Sequence, residues 1–275
     1  MTISAPAKIN LNLRICGLRD DSYHELETLM ILIPSLHDTL EIELLDEMDV
    51  SLTCNDASIP TDESNLIMQA AKMFFEVKGI EGGANIHLTK RIPIQAGLGG
   101  GSSDAAATLR ALNQLYGDPL STETLESLTA RLGADAAWFI RGEAAVCRGR
   151  GEIIGEPISL PRLPILLVKP PFGVSTPWAY RAFDEMPKAS AEEQCIEIGC
   201  VDVRIFNDLE IPVFAKYTLL PVMKNWLRSH TNDVLAAAMS GSGSTLFAIL
   251  YEDCDVQSLV AQLRAEFGET LWVNY

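Results

Sequence analysis

Pro93-Ile94-Gln95-Ala96-Gly97-Leu98-Gly99-Gly100-Gly101-Ser102-Ser103-Asp104-Ala105-Ala106-Ala107 is the stretch on which the reading of this chain turns. Four glycines fall within five residues, so the backbone there can approach a ligand closely and adopt conformations closed to residues bearing a Cβ. Two serines follow, and an Ala- and Leu-rich stretch to Tyr116 reads as a helix. Ser102 or Ser103 is expected to cap it, Asp104 to sit in its first turn, and Gly117 with Pro119 to end it. A glycine loop feeding a helix N-terminus converges unpaired N–H groups and the positive dipole end on one point. That is an anion site, and phosphate is the expected anion.

The loop is neither of the two commonest nucleotide motifs. No Lys follows the last glycine, as a Walker A loop requires. The third glycine of a dinucleotide fingerprint would fall on Ser102, and Ser121–Leu132 after the helix reads as a second helix, not a strand with an acidic end.

Upstream, Pro6–Cys16 alternates strictly. Ile9, Leu11, Leu13 and Ile15 face one way; Lys8, Asn10, Asn12 and Arg14 face the other, which is the pattern of a half-buried strand with a polar row. Further strands are expected over Leu40–Leu45, Val50–Thr53 and Ala84–Thr89, with a helix over Asn65–Val77 capped by Ser64. Three prolines in Pro157–Pro164 mark the expected domain boundary. Beyond it come a strand Ile165–Val168, helical material filling much of Thr176–Met239 and interrupted by Pro212 and Pro221, a second glycine-serine loop Ser240–Ser244 opening into a strand Thr245–Leu250, a helix Val256–Phe267 and a last strand Leu271–Asn274. The whole reads as mixed α+β in two lobes.

Composition narrows the function. A chain of 275 residues that is 48% hydrophobic can bury a large core, as one domain or two. A net charge of −16 without a basic run argues against a nucleic-acid partner, and an anionic ligand must be held by local N–H groups, a few lysines and a divalent cation. The six cysteines form no C-x-x-C pair, and the four histidines make no metal-ligand spacing with them, so free thiols and no resident metal site are expected. The N-terminus lacks a charged and then apolar leader, and no apolar run approaches a membrane span. A cytoplasmic protein with no membrane or nucleic-acid partner is expected.

Two polar residues stand out, each with a plain alternative. Lys8 on a strand beside asparagines can be part of a solvated face, and Asp135 in Gly133-Ala134-Asp135-Ala136-Ala137-Trp138 can be a helix cap. Taken with the glycine loop and Met239-Ser240-Gly241-Ser242-Gly243-Ser244-Thr245, however, the segment Pro6-Ala7-Lys8-Ile9-Asn10-Leu11 resembles the GHMP kinase superfamily of galactose, homoserine, mevalonate and phosphomevalonate kinases. Arg19-Asp20-Asp21-Ser22-Tyr23-His24-Glu25-Leu26, Gly133-Ala134-Asp135, Val174-Ser175-Thr176-Pro177 with Tyr180, and Asn207-Asp208-Leu209-Glu210 are similar to the branch that phosphorylates a cytidine diphosphate-linked methylerythritol. Two positions depart from that branch: Ser22 where Gly is usual, and Ala136-Ala137 where Val-Pro is common.

The resemblance implies a two-lobed α+β fold, with a ribosomal S5 domain 2-like lobe over residues 1–156, a ferredoxin-like lobe over 157–275, and the site between them. It implies ATP and Mg²⁺ as cofactors. The phosphates would lie on Pro93–Ser103, with the Ser103 hydroxyl facing phosphate or Mg²⁺, and Asn65 and Lys90 would serve the nucleotide. Asp135 would take the proton of the acceptor alcohol, with Lys8 beside it. Asn10, Tyr23, His24, Tyr180 and Gly241 would hold the substrate, the aromatic rings stacking its base. A monomer or weak homodimer is expected. The rival readings are another small-molecule kinase of the superfamily, whose substrate has no base to stack, and a non-catalytic nucleotide binder, which needs no base such as Asp135.

Overall fold

A computed structural model describes residues 1–78, 81–186 and 191–275. The chain opens with two long strands, β1 (Thr2–Leu18) and β2 (His24–Leu45), paired antiparallel, followed by β3 (Val50–Cys54), α1 (Leu66–Lys78) and β4 (Gly83–Thr89). The glycine loop leads into α2 (Gly100–Leu115), and α3 (Thr122–Ala130) and the single turn α4 (Trp138–Arg141) follow. Next come β5 (Ala145–Gly149), β6 (Ile153–Pro157), β7 (Ile165–Lys169), α5 (Thr176–Asp184), β8 (Gln194–Ile198) and β9 (Val201–Asn207). The chain closes with α6 (Glu210–Lys216), α7 (Leu219–Ser229), β10 (Val234–Met239), β11 (Leu246–Leu250), α8 (Val256–Phe267) and β12 (Trp272–Asn274).

Two sheets result. The larger runs β3-β4-β2-β1-β9-β8, with β5 on β2 and β6 on β5; the smaller is β10-β11-β7-β12. The proline cluster lies where the chain leaves β6 of the first sheet for β7 of the second, and β8 and β9 then return to the first sheet beside β1. One apolar cluster lies under α1 and α2, a second under α5 to α8, and a third between the sheets, where Ile9 and Leu11 meet Phe247 and Ile249. Burying such side chains supplies the main driving force for the arrangement.

The structure departs from the sequence expectations at definite places. The stretch from Thr176 to Met239 holds α5, α6 and α7 but also three strands that were not expected, β8, β9 and β10, and residues 187–190 within it lie outside the described residues. Pro212 and Pro221 do not interrupt helices. Each occupies the first turn of α6 or α7, where a missing N–H costs nothing. Asn65, not Ser64, caps α1, its Oδ1 accepting from Ile67 N at 2.9 Å, while Ser64 Oγ donates to Asp62. Neither Ser102 nor Ser103 caps α2. Its N-cap is Gly99, left-handed at φ 71°, so Asp104 falls beyond the first turn and is buried. Asp135 is no cap either, since α4 starts from Ala137.

Candidate active site

The two halves of the chain meet at a cavity of about 810 Å³ lined by Lys8, Asn10, Tyr23, His24, Asn65, Lys90, Pro93 to Ser102, Asp135, Tyr180 and Gly241. Ser103 is the one expected site residue behind this lining, its Oγ buried with no hydrogen-bond partner among the described residues.

The glycine loop is seated on β1 and on the second glycine loop. Lys8 N donates to Leu98 O at 3.0 Å, Ser240 Oγ donates to Gly97 O at 2.9 Å, and Thr245 N donates to Ala96 O at 3.2 Å. Gly97 and Gly99 are obligatory for different reasons. Both have positive φ, and a Cβ on Gly97 would strike Ser240 O, while one on Gly99 would come within 2.9 Å of the Lys8 stem and of Phe139. At Gly101 a Cβ would meet only Leu66, at 3.6 Å. Because α2 begins directly after Gly99, its first N–H groups have no helical carbonyl to bind and remain available to an anion.

The polar row of β1 is not a solvated face. Lys8 and Asn10 are only 3% and 2% exposed. Lys8 Nζ lies 3.0 Å from Asp135 Oδ2 and 2.5 Å from Asn10 Oδ1. Asn10 Nδ2 donates to Thr28 Oγ1 at 2.8 Å, and Thr28 Oγ1 donates to Asn12 O at 2.6 Å. This relay fixes the Asn10 amide with its oxygen toward the ammonium. Asp135, by contrast, keeps part of its carboxylate in the cavity. Its charge also acts on its neighbours: burial, and then Asp135, pushes the Cys147 thiol up to about 12 and the Tyr180 phenol above its ordinary range.

Lys90 lines the cavity and is already engaged by two carboxylates. Its ammonium bridges Asp38 and Asp104 at 2.6 Å each, and Asp38 Oδ1 also accepts from Arg91 N and Ile92 N. The triad ties the ends of β4 and the glycine loop to α2. Burial pushes Asp104 up to about 7, only partly offset by Lys90; burial of Lys90 is outweighed by its two carboxylates, so its pKa is raised. Among the described residues Asp104 Oδ1, like Ser103 Oγ, has no hydrogen-bond partner.

On the opposite wall His24 stacks on Tyr180, centroids 5.0 Å apart and planes at 27°, while Arg150 covers a face of Tyr23 at 4.8 Å. One face each of Tyr23 and Tyr180 is thus covered by another side chain. Sequence reasoning missed Arg150 and Asp184 and quoted Thr176 and Ser242 only as parts of motifs; all four line the cavity. Asp184 was findable, four residues from Tyr180 on one helix; Arg150 carried no local signal.

The motif Asn207 to Glu210 builds the second glycine loop. Asn207 Nδ2 donates to Met239 O and Gly241 O, both at 2.7 Å, and Glu210 Oε1 accepts from Met239 N at 2.8 Å. Ser242 Oγ in turn bonds Thr176 Oγ1 at 2.7 Å.

Residues 65–143 match the GHMP kinases N terminal domain, and residues 193–269 the GHMP kinases C terminal domain. A 4-diphosphocytidyl-2-C-methyl-D-erythritol kinase of Methylacidiphilum infernorum (isolate V4) is 43% identical over 280 residues, covering 98% of this chain and 94% of that protein. The chain belongs to the 4-diphosphocytidyl-2-C-methyl-D-erythritol kinase family of the GHMP kinases. The Bacillus subtilis (strain 168) member is 39% identical over 269 residues, 94% of this chain and 91% of that one. A crystal structure of 4-(cytidine 5'-diphospho)-2C-methyl-D-erythritol kinase superposes with a TM-score of 0.78 at 33% identity, over 99% of this chain and 98% of that one. A homoserine kinase from Cytophaga hutchinsonii, at 20% identity and a TM-score of 0.65, shares the fold. The fold is thus the two-lobed α+β GHMP kinase fold, and the chain is an ATP-dependent kinase. No helix of the described residues is long and apolar enough to cross a membrane.

Proposed function

We propose that this kinase transfers the γ-phosphoryl group of ATP to the 2-hydroxyl of 4-diphosphocytidyl-2-C-methyl-D-erythritol, in isoprenoid precursor synthesis. The observation that carries the reading is the Lys8–Asp135 pair, set 3.0 Å apart in a cavity whose rim is the glycine loop. The relatives' names supply the acceptor.

Phosphoryl transfer asks a protein for in-line positioning, neutralisation of phosphate charge and a readied nucleophile. Asp135 accepts the proton of the acceptor hydroxyl at its carboxylate. Lys8, paired with that carboxylate, brings its positive charge to the oxygen as it gives up its proton, while Asn10 keeps the ammonium aimed. The N–H groups of the Gly97–Ser103 turn hold the nucleotide phosphates, and the loop 240–244 braces that turn from the second lobe. Asn65 lies at the same end of the cavity; Lys90, already bridged by two aspartates, acts by bracing the loop.

Among the described residues no three His, Cys, Asp or Glu side chains cluster as a metal site. Ser103 Oγ and Asp104 Oδ1, next to the phosphate turn, are buried oxygens with no hydrogen-bond partner among the described residues, groups that would suit a phosphate-borne Mg²⁺. When bound, Mg²⁺ neutralises charge on the nucleotide phosphates. Tyr23, His24 and Tyr180 form the wall against which a cytosine would stack. We divide the lobes at residues 1–156 and 157–275; β8 and β9, from the second stretch, pair back onto the first sheet.

The test is ADP release from ATP with a panel of acceptor alcohols: the cytidine-linked methylerythritol, free methylerythritol phosphate, homoserine and mevalonate. Turnover with the first alone, giving a new phosphomonoester at carbon 2 by phosphorus NMR, is expected. Preference for homoserine or mevalonate would overturn the acceptor assignment.

A further inference from the structure

His24 is held from two directions by a single helix. Tyr180 stacks against its face, and Asp184, four residues later on α5, accepts a hydrogen bond from Nε2 at 2.8 Å. Residues four apart lie one above the other on a helix, so face and edge are gripped by one rigid element. His24 itself begins β2, in the other lobe, and its side chain is 10% exposed. Among the described residues the imidazole has no further hydrogen bond, and it lines the cavity.

We propose that Asp184 is the positioning residue that makes this site prefer cytosine to uracil, by holding His24 in the tautomer whose Nδ1 is a hydrogen-bond acceptor. The inference rests on the cytidine reading above.

The chemistry follows from the two ring nitrogens. A carboxylate only accepts, so the nitrogen facing Asp184 carries the proton, and in a neutral imidazole the other must then offer a lone pair. Cytosine carries an amino donor where uracil carries a carbonyl acceptor. An Nδ1 acceptor satisfies the first and opposes the second, and a buried polar group left unpaired is how sites reject an analogue strongly. Without Asp184 the ring can take either tautomer and the distinction fades.

Helix stability does not explain the aspartate. A carboxylate in the last turn sits at the negative end of the helix dipole, where it is unfavourable. Its side chain is 46% exposed, so the pair with His24 adds little to folding. What Asp184 adds is the identity of the protonated nitrogen.

The experiment has two arms. Ring-¹⁵N NMR of histidine-labelled protein at pH 8, with His24→Gln to assign its signals among the four histidines, reads the tautomer directly. Calorimetry with CDP and UDP, and separately ATP, reads selectivity in the wild type, Asp184→Ala and Asp184→Asn. The wild type should show the proton on Nε2 and favour CDP by roughly 100-fold or more. Asp184→Ala should mix the tautomers and shrink that preference to less than about tenfold, chiefly through weaker CDP binding, with ATP affinity unmoved. Asp184→Asn, whose amide oxygen still accepts, should fall between. A wild-type His24 protonated on Nδ1, or an Asp184→Ala variant that keeps the full preference, overturns the inference and leaves the cytidine reading standing. Wild-type protein that binds neither CDP nor UDP overturns the cytidine reading and this inference with it.

Discussion

Lys8 and Asp135 form an ion pair of unequal partners: the lysine side chain is 3% exposed, the aspartate 29%. The cation is locked in the strand layer and the anion reaches into the cavity. That asymmetry suits a base whose partner must not move. Asp135→Asn should lower kcat by about 10²–10⁴, with the KM for ATP near wild type, as for loss of a general base. Lys8→Met, which keeps the buried stem, should fall in the same range. The double variant should be little worse than either alone, because groups that act as a unit are not additive. Steady-state kinetics decides it, and a single variant within threefold of wild type would remove the assignment.

The glycines separate binding from folding. Gly99→Ala places a Cβ against the Lys8 stem and Phe139 at a positive φ, so both thermal stability and kcat should fall. A Cβ at Gly101 meets only Leu66, at 3.6 Å, so Gly101→Val should leave the fold intact while adding a branched side chain to a residue that lines the cavity. ATP affinity should drop by about tenfold or more in calorimetry, roughly 1.4 kcal/mol, with CDP affinity unchanged. Equal loss of both ligands would point to a folding role instead.

Tyr23 is 55% exposed and presents the ring surface most open to a base. Tyr23→Ala should cost about 1–3 kcal/mol of stacking, or about 5- to 150-fold in CDP affinity, without affecting ATP. Tyr23→Phe should retain most of it, since the ring face makes the contact. Competition between CDP and the substrate checks both.

Asn207 is fully buried and is the shared donor to two carbonyls of the second glycine loop. Asn207→Ala should lose roughly 2–4 kcal/mol in chemical denaturation, because both carbonyls are left without a partner. The activity of the folded fraction should fall too, since that loop braces Gly97.

Asp104 gives a pH signature. Its folded pKa of about 7 lies above the ordinary 3.8, so the folded state binds the proton more tightly than the unfolded chain. The associated stability is present in full below the unfolded value and is lost as pH rises through about 7. Wild-type stability should therefore decline between pH 5 and 8, and Asp104→Asn, a mimic of the protonated acid, should flatten that decline. Urea midpoints across this range measure it; parallel curves would contradict the assignment.

Much of this protein was determined by local sequence. The glycine loop ending at a helix start, the alternation that makes β1, and the helix Val256–Phe267 are each set by residue type and spacing within a few turns, so they are legible without the fold. Strands β8 and β9 carried the same kind of signal in the alternation of Ile196, Ile198, Val203 and Ile205, and reading them as helix passed over it. Other features have no local signature. Whether Lys8 and Asn10 face water or a site depends on what packs over β1, and periodicity names a face without naming its cover. The capture of Lys90 by Asp38 and Asp104 joins residues 52 and 14 positions apart, and the grip of α5 on His24 spans 160. Such pairings form only when hydrophobic burial brings distant elements together, so tertiary structure alone decided them.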